Sequence, residues 1–570
     1  MTLSSNSEVI FKRRYAINEY ETWDELAERV GKGGASVEVD FKKWSDIFAS
    51  DISNMLFLPG GRILRNIGRP RGTLFNCYVE PLEDSMRQIG DFQRNAGILW
   101  SEGGGVGCNA SFLRPEGALI VQKGGESSGP ISFLKWANAG ANTIRVGGSR
   151  RAAALAMMNV SHPDIIKFIN AKLVEGELNC FNISVAVTEE FLDAVESNSD
   201  WDLEWKTKVW QTVKARDIWD LILHNMVKCA EPGLINWDNL RSNNSYYFDP
   251  IVSTNPCGEV PLGAHGVCCL GSIVLPNFIT GTKNTNWQLM EKTVNNAIRF
   301  LDNVIQINRY VIEDIKRKAF DGRRIGLGVM GLAEYLFAKG IRYGSQEATR
   351  AIVTLMENIR NYAYDASCKI AAEKEPFPKF DLKEYSKAHF FKTLPAGIRM
   401  DIKKHGMRNV TVMAIAPTGT ISLIPEVTHS IEPLFCKGYM RHDEIGDRAY
   451  IHPIYEKIIR DGDEIPDWYV DSFDLTPKDH FETQVAVQKY TDGAVSKTVN
   501  CPKGFKPEQL SELLLEYIRD LKGVTLYVDG SREGQILNPL NREKAEEFIK
   551  KGNIISEQEE IECSTGSCEI

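Results

Sequence analysis

Asn255-Pro256-Cys257-Gly258-Glu259 sets an amide, a thiol and a carboxylate at alternate positions, and shortly after it comes Val267-Cys268-Cys269-Leu270-Gly271-Ser272. In extended backbone alternate side chains project to one side, so all three polar groups are able to face one substrate. Alone, the first stretch reads as a buried thiol beside a turn, because isolated short motifs match by chance often. What surrounds it decides the reading.

Between residues 71 and 440 short β-branched runs alternate with long amphipathic helical patterns, such as 287–310 and 347–375, which indicates an α/β architecture. Residues 1–70 read as a small helical region: 23–30 and 41–57 carry apolar residues at helical spacing, and Leu58-Pro59-Gly60-Gly61-Arg62 follows as a turn. The last strand expected is 524–528; from 538 onwards the chain is charged and loses apolar periodicity, as a mobile tail would.

At 570 residues and 64.0 kDa the chain holds two or three domain-sized units or one large barrel. With 43% hydrophobic and 25% charged residues it has the composition of a soluble globular protein, and no run of about 18 apolar residues is present to span a bilayer. No basic segment followed by an apolar stretch opens the chain, so a cytoplasmic location is expected. A net charge of -9 and a pI near 5.7 argue against a polymeric nucleic acid partner, which needs a basic field. Twelve cysteines in a reducing compartment are not a disulfide framework, and none of them has zinc-type CxxC spacing, so no metal site is expected.

Context singles out particular cysteines. Upstream lies Leu74-Phe75-Asn76-Cys77-Tyr78, and the chain finishes with Glu562-Cys563 and, after Ser-Thr-Gly-Ser, Cys568-Glu569-Ile570. Glu102-Gly-Gly-Gly-Val-Gly-Cys108-Asn109, Gly326-Leu-Gly-Val-Met-Gly331, Ala416-Pro417-Thr418-Gly419-Thr420-Ile421-Ser422 and Ser430-Ile431-Glu432-Pro433 accompany them. Together these segments resemble the ribonucleotide reductase large subunit, in which a finger-loop thiol, a reducing thiol pair and a C-terminal CxxxxC tail recur in this order.

The resemblance implies a ten-stranded α/β barrel of two five-stranded halves with Cys257 on an inner finger loop. It divides the chain into a helical N-terminal region (1–70), the barrel with its effector loops (71–540) and a flexible redox tail (541–570). The activity implied is reduction of ribonucleotides, taken as diphosphates, to 2′-deoxyribonucleotides. Polar chemistry does not readily replace a 2′-hydroxyl on an unactivated carbon, so the route removes the 3′-hydrogen as an atom, with Cys257 as radical carrier and a cofactor generating the radical. Glu259 then takes the 3′-hydroxyl proton, general-base help worth roughly a hundredfold to ten-thousandfold, and Asn255 orients the ribose. Cys77 and Cys268 give two electrons by closing to a disulfide; Cys269, standing where the family usually has Asn, is the alternative partner. Cys563 and Cys568 resemble the shuttle pair that exchanges with that disulfide and passes the oxidising equivalents to a thioredoxin or glutaredoxin.

Other parts of the resemblance concern binding. Pro417, Thr418, Gly419, Thr420 and Ser422 follow the apolar run 410–415 and are assigned to the substrate phosphates, as a strand-to-helix turn presenting backbone N–H groups; unaided, they read as an ordinary turn with a Thr cap. Asp84 and Ser85 match an effector deoxyribose contact, Arg150 in Gly147-Gly148-Ser149-Arg150-Arg151 an effector phosphate loop, and 173–180 the loop relaying to the substrate site. These imply dNTP and ATP effectors and a homodimer, without an ATP-cone switch ahead of the barrel. Their bland reading is a solvated loop.

The radical source is read from one departure. Where the class using a separate metal-containing subunit has two adjacent tyrosines, this chain has Leu526-Tyr527, leaving Tyr527 as the one relay candidate, followed by Gly530-Ser531-Arg532-Glu533-Gly534-Gln535. That pattern, with Tyr15-Ala16 and Glu21-Thr22-Trp23-Asp24-Glu25, resembles the adenosylcobalamin-dependent class; the tail resembles the metal-subunit class, whose separate radical-generating subunit is the alternative. Two further readings compete. A dinucleotide-binding dehydrogenase is suggested by Gly326 to Gly331, but the preceding 313–324 is charged and not a strand, so these glycines are read as close-packing positions at a helix. A non-catalytic nucleotide-binding homologue would not need Asn255, Cys257, Glu259 and both thiol pairs.

Overall fold

The computed structural model describes residues 3–120, 124–146, 150–174, 176–443, 446–531 and 537–551. Helices Ser5–Arg14, Trp23–Ala35 and Phe41–Ser53 open the chain. The second starts on a Thr22–Glu25 capping box, each side chain satisfying the other residue's backbone N–H. A Cβ at Gly31 would stand 2.7 Å from the Ser45 carbonyl oxygen, so glycine is what lets the second and third helices touch. The expected turn at 58–62 is instead a short strand, Phe57–Pro59, and a short helix, Gly61–Asn66.

The barrel strands are β1 (Cys77–Val79), β2 (Gly105–Asn109), β3 (Ala154–Asn159), β4 (Phe181–Val187), β5 (Gly233–Asn236), β6 (Gly266–Val274), β7 (Ile325–Met330), β8 (Thr498–Cys501) and β9 (Gly523–Val528). Strands β1 to β5 pair in sequence and in parallel. A second parallel set runs β6, β7, the extended segment 411–416, the run 493–496 that leads into β8, and β9. Val412 and Leu327 carry the β7 side of segment 411–416 through backbone bonds of 2.8 and 3.1 Å (Leu327 N to Val412 O, Ala414 N to Leu327 O). Ile415 and Ala494 carry the other (Ile415 N to Ala494 O, 3.1 Å). The two sets meet antiparallel at β1–β6 and at β5–β9, so the hydrogen-bonded path returns to its start as two five-stranded halves. Phe57–Pro59 adds antiparallel to the far end of β6, outside this circuit.

Parallel strands buried on both faces read as nearly continuous apolar runs, and β2, β6 and β7 are buried throughout. Outside lie helices such as Trp287–Ile307 and Gln346–Lys374, within the large core cluster. Inside lies a separate small cluster that contains Cys77, Val79, Val260, Cys268, Leu270 and Ala414. Among the described residues no helix is long and apolar enough to cross a membrane.

Two expectations are corrected here. Gly326 and Gly328 lie on a strand, β7, and not at a helix: their absent side chains let segment 411–416 close in, since a Cβ at Gly328 would meet the Ala414 carbonyl oxygen at 2.7 Å. The chain beyond 538 also keeps structure. Helix Arg542–Lys551 buries Ala545 and sets Phe548 and Ile549 against the core, an i, i+3, i+4 stripe too narrow to stand out among its charges.

Candidate active site

The hairpin Ser253–Thr254 with Pro261–Leu262 carries a tight turn into the barrel. Gly258 N donates to the Asn255 carbonyl (3.0 Å), and Gly258 takes the left-handed φ of 82° that this turn requires. The Gly-rich strand β2 makes room for the finger: a Cβ at Gly107 would lie 1.8 Å from the Thr254 carbonyl oxygen, so no side chain fits there. Asn182 of β4 donates to the Pro256 carbonyl (3.3 Å), and Ala494 N donates to that of Glu259 (2.8 Å), so the finger is held from both halves.

The tip brings the expected residues together. Asn255 Nδ2 donates to Glu259 Oε2 at 2.7 Å and lies 3.3 Å from Cys77 Sγ, while Val260 N donates to Asn255 Oδ1 at 2.9 Å, which orients the amide. Cys77 Sγ is 3.9 Å from Glu259 Oε1. Asn255 and Glu259 are fully buried, whereas Cys257 at the tip is half-buried. Burial is the main cause that pushes the Glu259 carboxyl up to about 7, opposed by the hydrogen bond from Asn255.

Strand register separates the adjacent thiols. Cys268 is the direct cross-strand partner of Cys77 in the antiparallel β1–β6 pair, where Cα atoms stand roughly 4.5–5.5 Å apart, inside the span a disulfide needs. Cys268 lies in the interior cluster with Cys77. Cys269, one residue on, points to the opposite face and is buried under the outer helices. Burial first, then the neighbouring thiol and Glu259, push the Cys268 thiol well above its usual value, so it rests protonated.

The expected phosphate segment follows segment 411–416 directly. Thr418 adopts a left-handed φ of 58°, its Oγ1 accepts from Ser430 N (2.8 Å), and Ser422 Oγ pairs with His429 Nδ1 (2.6 Å). A three-residue 3-10 helix, Ile421–Leu423, follows in place of a regular helix. Pro417 and Gly419 line a cavity of about 340 Å³ with Glu432, Ser496, Thr498 and Asn500. Tyr527 on β9 is the parallel neighbour of Asn500.

The remaining expected residues lie apart from this centre. Asp84 is held by Arg114, whose Nε and Nη2 each approach its carboxylate to 2.9 Å, and Ser85 caps helix Met86–Ser101. Arg150 belongs to a two-residue strand paired with Arg145–Val146; the rest of that loop, 147–149, lies outside the described residues. Within 173–180, of which 175 is also outside, Asn179 Oδ1 accepts from Asn138 and Asn142 of helix Gly129–Thr143. Cys563, Cys568 and 532–536 lie outside the described residues as well.

Sequence reasoning missed Arg324, Asp492 and Lys522, all buried close behind the finger. The signal for the first was present: Arg323-Arg324 directly precedes the apolar β7, where a solvated charged helix would have ended earlier.

Comparison with known proteins agrees with this geometry. The family described as "Ribonucleotide reductase, barrel domain" matches residues 75–527, and "Ribonucleotide reductase, all-alpha domain" matches 1–72. The "Vitamin B12-dependent ribonucleoside-diphosphate reductase" of Mycobacterium tuberculosis is 34% identical over 577 residues, covering 94% of this chain and 81% of the relative. The protein of the same name from Thermoplasma acidophilum is 34% identical over 546 residues (90% and 68%). The "Ribonucleoside-diphosphate reductase subunit alpha" of Chlamydia trachomatis is 29% identical over 484 residues (74% and 46%).

Proposed function

The chain belongs to the ribonucleotide reductase family, and we propose that it reduces ribonucleoside diphosphates to 2′-deoxyribonucleoside diphosphates through a thiyl radical on Cys257 formed with adenosylcobalamin. The observation that carries this reading is the convergence of Asn255, Glu259 and Cys77 within 2.7–3.9 Å beneath the tip that bears Cys257, with Cys268 directly across the strand pair.

The residues divide the work as follows. Cys257 takes the 3′-hydrogen atom, and Glu259, ionised above about pH 7, accepts the 3′-hydroxyl proton while Asn255 holds its carboxylate. The 2′-hydroxyl leaves as water with a proton from the Cys77–Cys268 pair. The pair's other proton and its two electrons reduce C2′ to a C–H as the two sulfurs join, Glu259 returns its proton to the 3′-oxygen, and Cys257 returns its hydrogen atom to C3′. Pro417, Thr418, Gly419, Thr420 and Ser422 bind the phosphates. The resulting disulfide passes to Cys563 and Cys568 on the tail (541–570, after the barrel at 71–540 and the helical region at 1–70), and from there to a thioredoxin-like reductant.

The tip is open beside Cys257: nothing lies within 4 Å of where a Cβ on Gly258 would stand. Leu526-Tyr527 offers one tyrosine where a relay from another subunit uses two. Adenosylcobalamin, held at the tip by residues beside Cys257 and Gly258, would supply the radical equivalent that this thiol carries. Effector deoxynucleotides bind where Asp84, Ser85 and Arg150 lie, with Arg114 already on Asp84, in a homodimer. Cys257→Ser tests the reading: reduction is lost while calorimetric nucleotide binding stays, and a variant that still reduces its substrate refutes it.

A further inference from the structure

The finger backbone that carries Glu259 is gripped at Glu259 itself and again two residues beyond it. The Glu259 carbonyl accepts from Ala494 N, and Gly493 sits so close that a Cβ there would meet the Met413 carbonyl oxygen at 2.5 Å and the Glu259 carbonyl oxygen at 3.2 Å. Buried side chains pin that run. Asp492 Oδ1 accepts from Met413 N (2.8 Å) and Gly493 N (2.9 Å), and its Oδ2 from Val412 N (2.9 Å) and Tyr364 OH (2.7 Å). Lys522 Nζ donates to the carbonyls of Asp492 and Gly493, each at 2.7 Å. Two residues beyond Glu259, the Pro261 carbonyl accepts from Arg324 Nη1. The Arg324 guanidinium lies 3.5 Å from the centre of the Tyr246 ring, and Nη2 has no hydrogen-bond partner among the described residues.

Burying two cations and a carboxylate inside a barrel is expensive, and an unsatisfied buried donor adds to the cost. Replacing a buried ion pair by apolar residues of similar volume is often neutral or stabilising. These charges stand where they satisfy buried backbone groups, and the backbone they hold is the stretch that carries and follows the proposed general base.

We propose that Arg324, Asp492 and Lys522 are positioning residues, a buried clamp that sets the depth of the finger and with it the place of the Glu259 carboxylate. The inference rests on the reading of Glu259 as the base. It applies to the barrel's own geometry: Asp492 locks segment 411–416 to the run entering β8, Lys522 from the start of β9 locks that run, and Arg324 from the start of β7 locks the returning strand of the finger.

The test uses the full chain with adenosylcobalamin, a ribonucleoside diphosphate and dithiothreitol. Arg324→Met and Lys522→Met lower kcat about 10- to 100-fold, as a displacement of order 1 Å of a reacting group does, with KM changed by less than about threefold. The acid limb of kcat moves in both variants, because the surroundings of Glu259 change. Arg324→Lys, which keeps a donor for the Pro261 carbonyl, restores most of the rate. Hydrogen exchange of peptides covering 253–262 and 490–496 rises in the two Met variants and falls back in Arg324→Lys. Folded variants with unaltered exchange, or a kcat that drops only in step with the folded fraction and with no shift of the acid limb, overturn the proposal. Lys522→Met carries the same test should Arg324→Met not fold. Glu259→Gln, run alongside, separates the two ideas: a variant at full kcat removes the base assignment, while the exchange data still report on the clamp.

Discussion

Replacing Glu259 by glutamine should sharply lower turnover and at the same time stabilise the protein, and the stabilisation should depend on pH. The carboxyl titrates near 7 in the folded chain and near 4.5 when solvated. The folded state therefore prefers the protonated acid: this group's contribution is most favourable below about pH 4.5 and is lost as pH rises towards 7. With those two values the linkage relation gives a penalty of about 3 kcal/mol at pH 8 and about 1 kcal/mol at pH 5.5. Glutamine has no such penalty and its amide oxygen still accepts from Asn255 Nδ2, so the advantage of the variant should grow by about 2 kcal/mol between the two pH values. Its pH-independent costs cancel in that difference. Turnover should fall about a hundredfold to ten-thousandfold, the usual worth of general-base help. Denaturant unfolding of parent and variant, followed by tryptophan fluorescence at pH 5.5 and 8, reads the first quantity, and single-turnover assays read the second. An advantage that is flat with pH, or that shrinks as pH rises, would refute the buried, raised carboxyl.

Register makes a sharper claim about the thiols: Cys268→Ser should stop reduction, whereas Cys269→Ser, altering a residue on the outer face, should keep most of the activity; the reverse pattern in a deoxynucleotide assay would mean the wrong sulfur has been assigned. Changing both Cys563 and Cys568 to serine should remove turnover driven by a thioredoxin and leave turnover driven by dithiothreitol, since a small thiol enters the barrel unaided; equal loss with both reductants would count against a shuttle.

Much of the chemistry was legible in the residues because it is local. Asn255, Cys257 and Glu259 lie within five residues, so the sequence kept them close; the expected extended loop is instead a tight turn with Gly258 N on the Asn255 carbonyl, and this turn is what closes Asn255 on Glu259 at 2.7 Å. What required the fold was everything set by distance in sequence. Period-two alternation says that Cys268 and Cys269 face opposite ways, but only pairing with β1 says which of them meets Cys77. Segment 411–416 is a plain apolar run by itself; that it is the fifth member of the second half follows from its bonds to Leu327 and Ala494, neither near it in sequence. Arg324 was read only as part of the charged stretch 313–324, because charge is a poor guide to exposure when a backbone carbonyl and an aromatic ring inside the barrel receive the guanidinium. The helix at Arg542–Lys551 was hidden for the opposite reason, a three-residue apolar stripe in a charged setting.

The central claim is that a thiyl radical on Cys257, formed with adenosylcobalamin, drives ribonucleotide reduction in this chain. The direct measurement incubates the purified chain with a ribonucleoside diphosphate, dithiothreitol, an effector deoxynucleotide and adenosylcobalamin, and counts the deoxynucleotide formed against the same mixture without the cobalamin. Product only with adenosylcobalamin, and none from Cys257→Ser, is the predicted result. Product that appears only when a separate metal-containing subunit is supplied, with adenosylcobalamin making no difference, would contradict it.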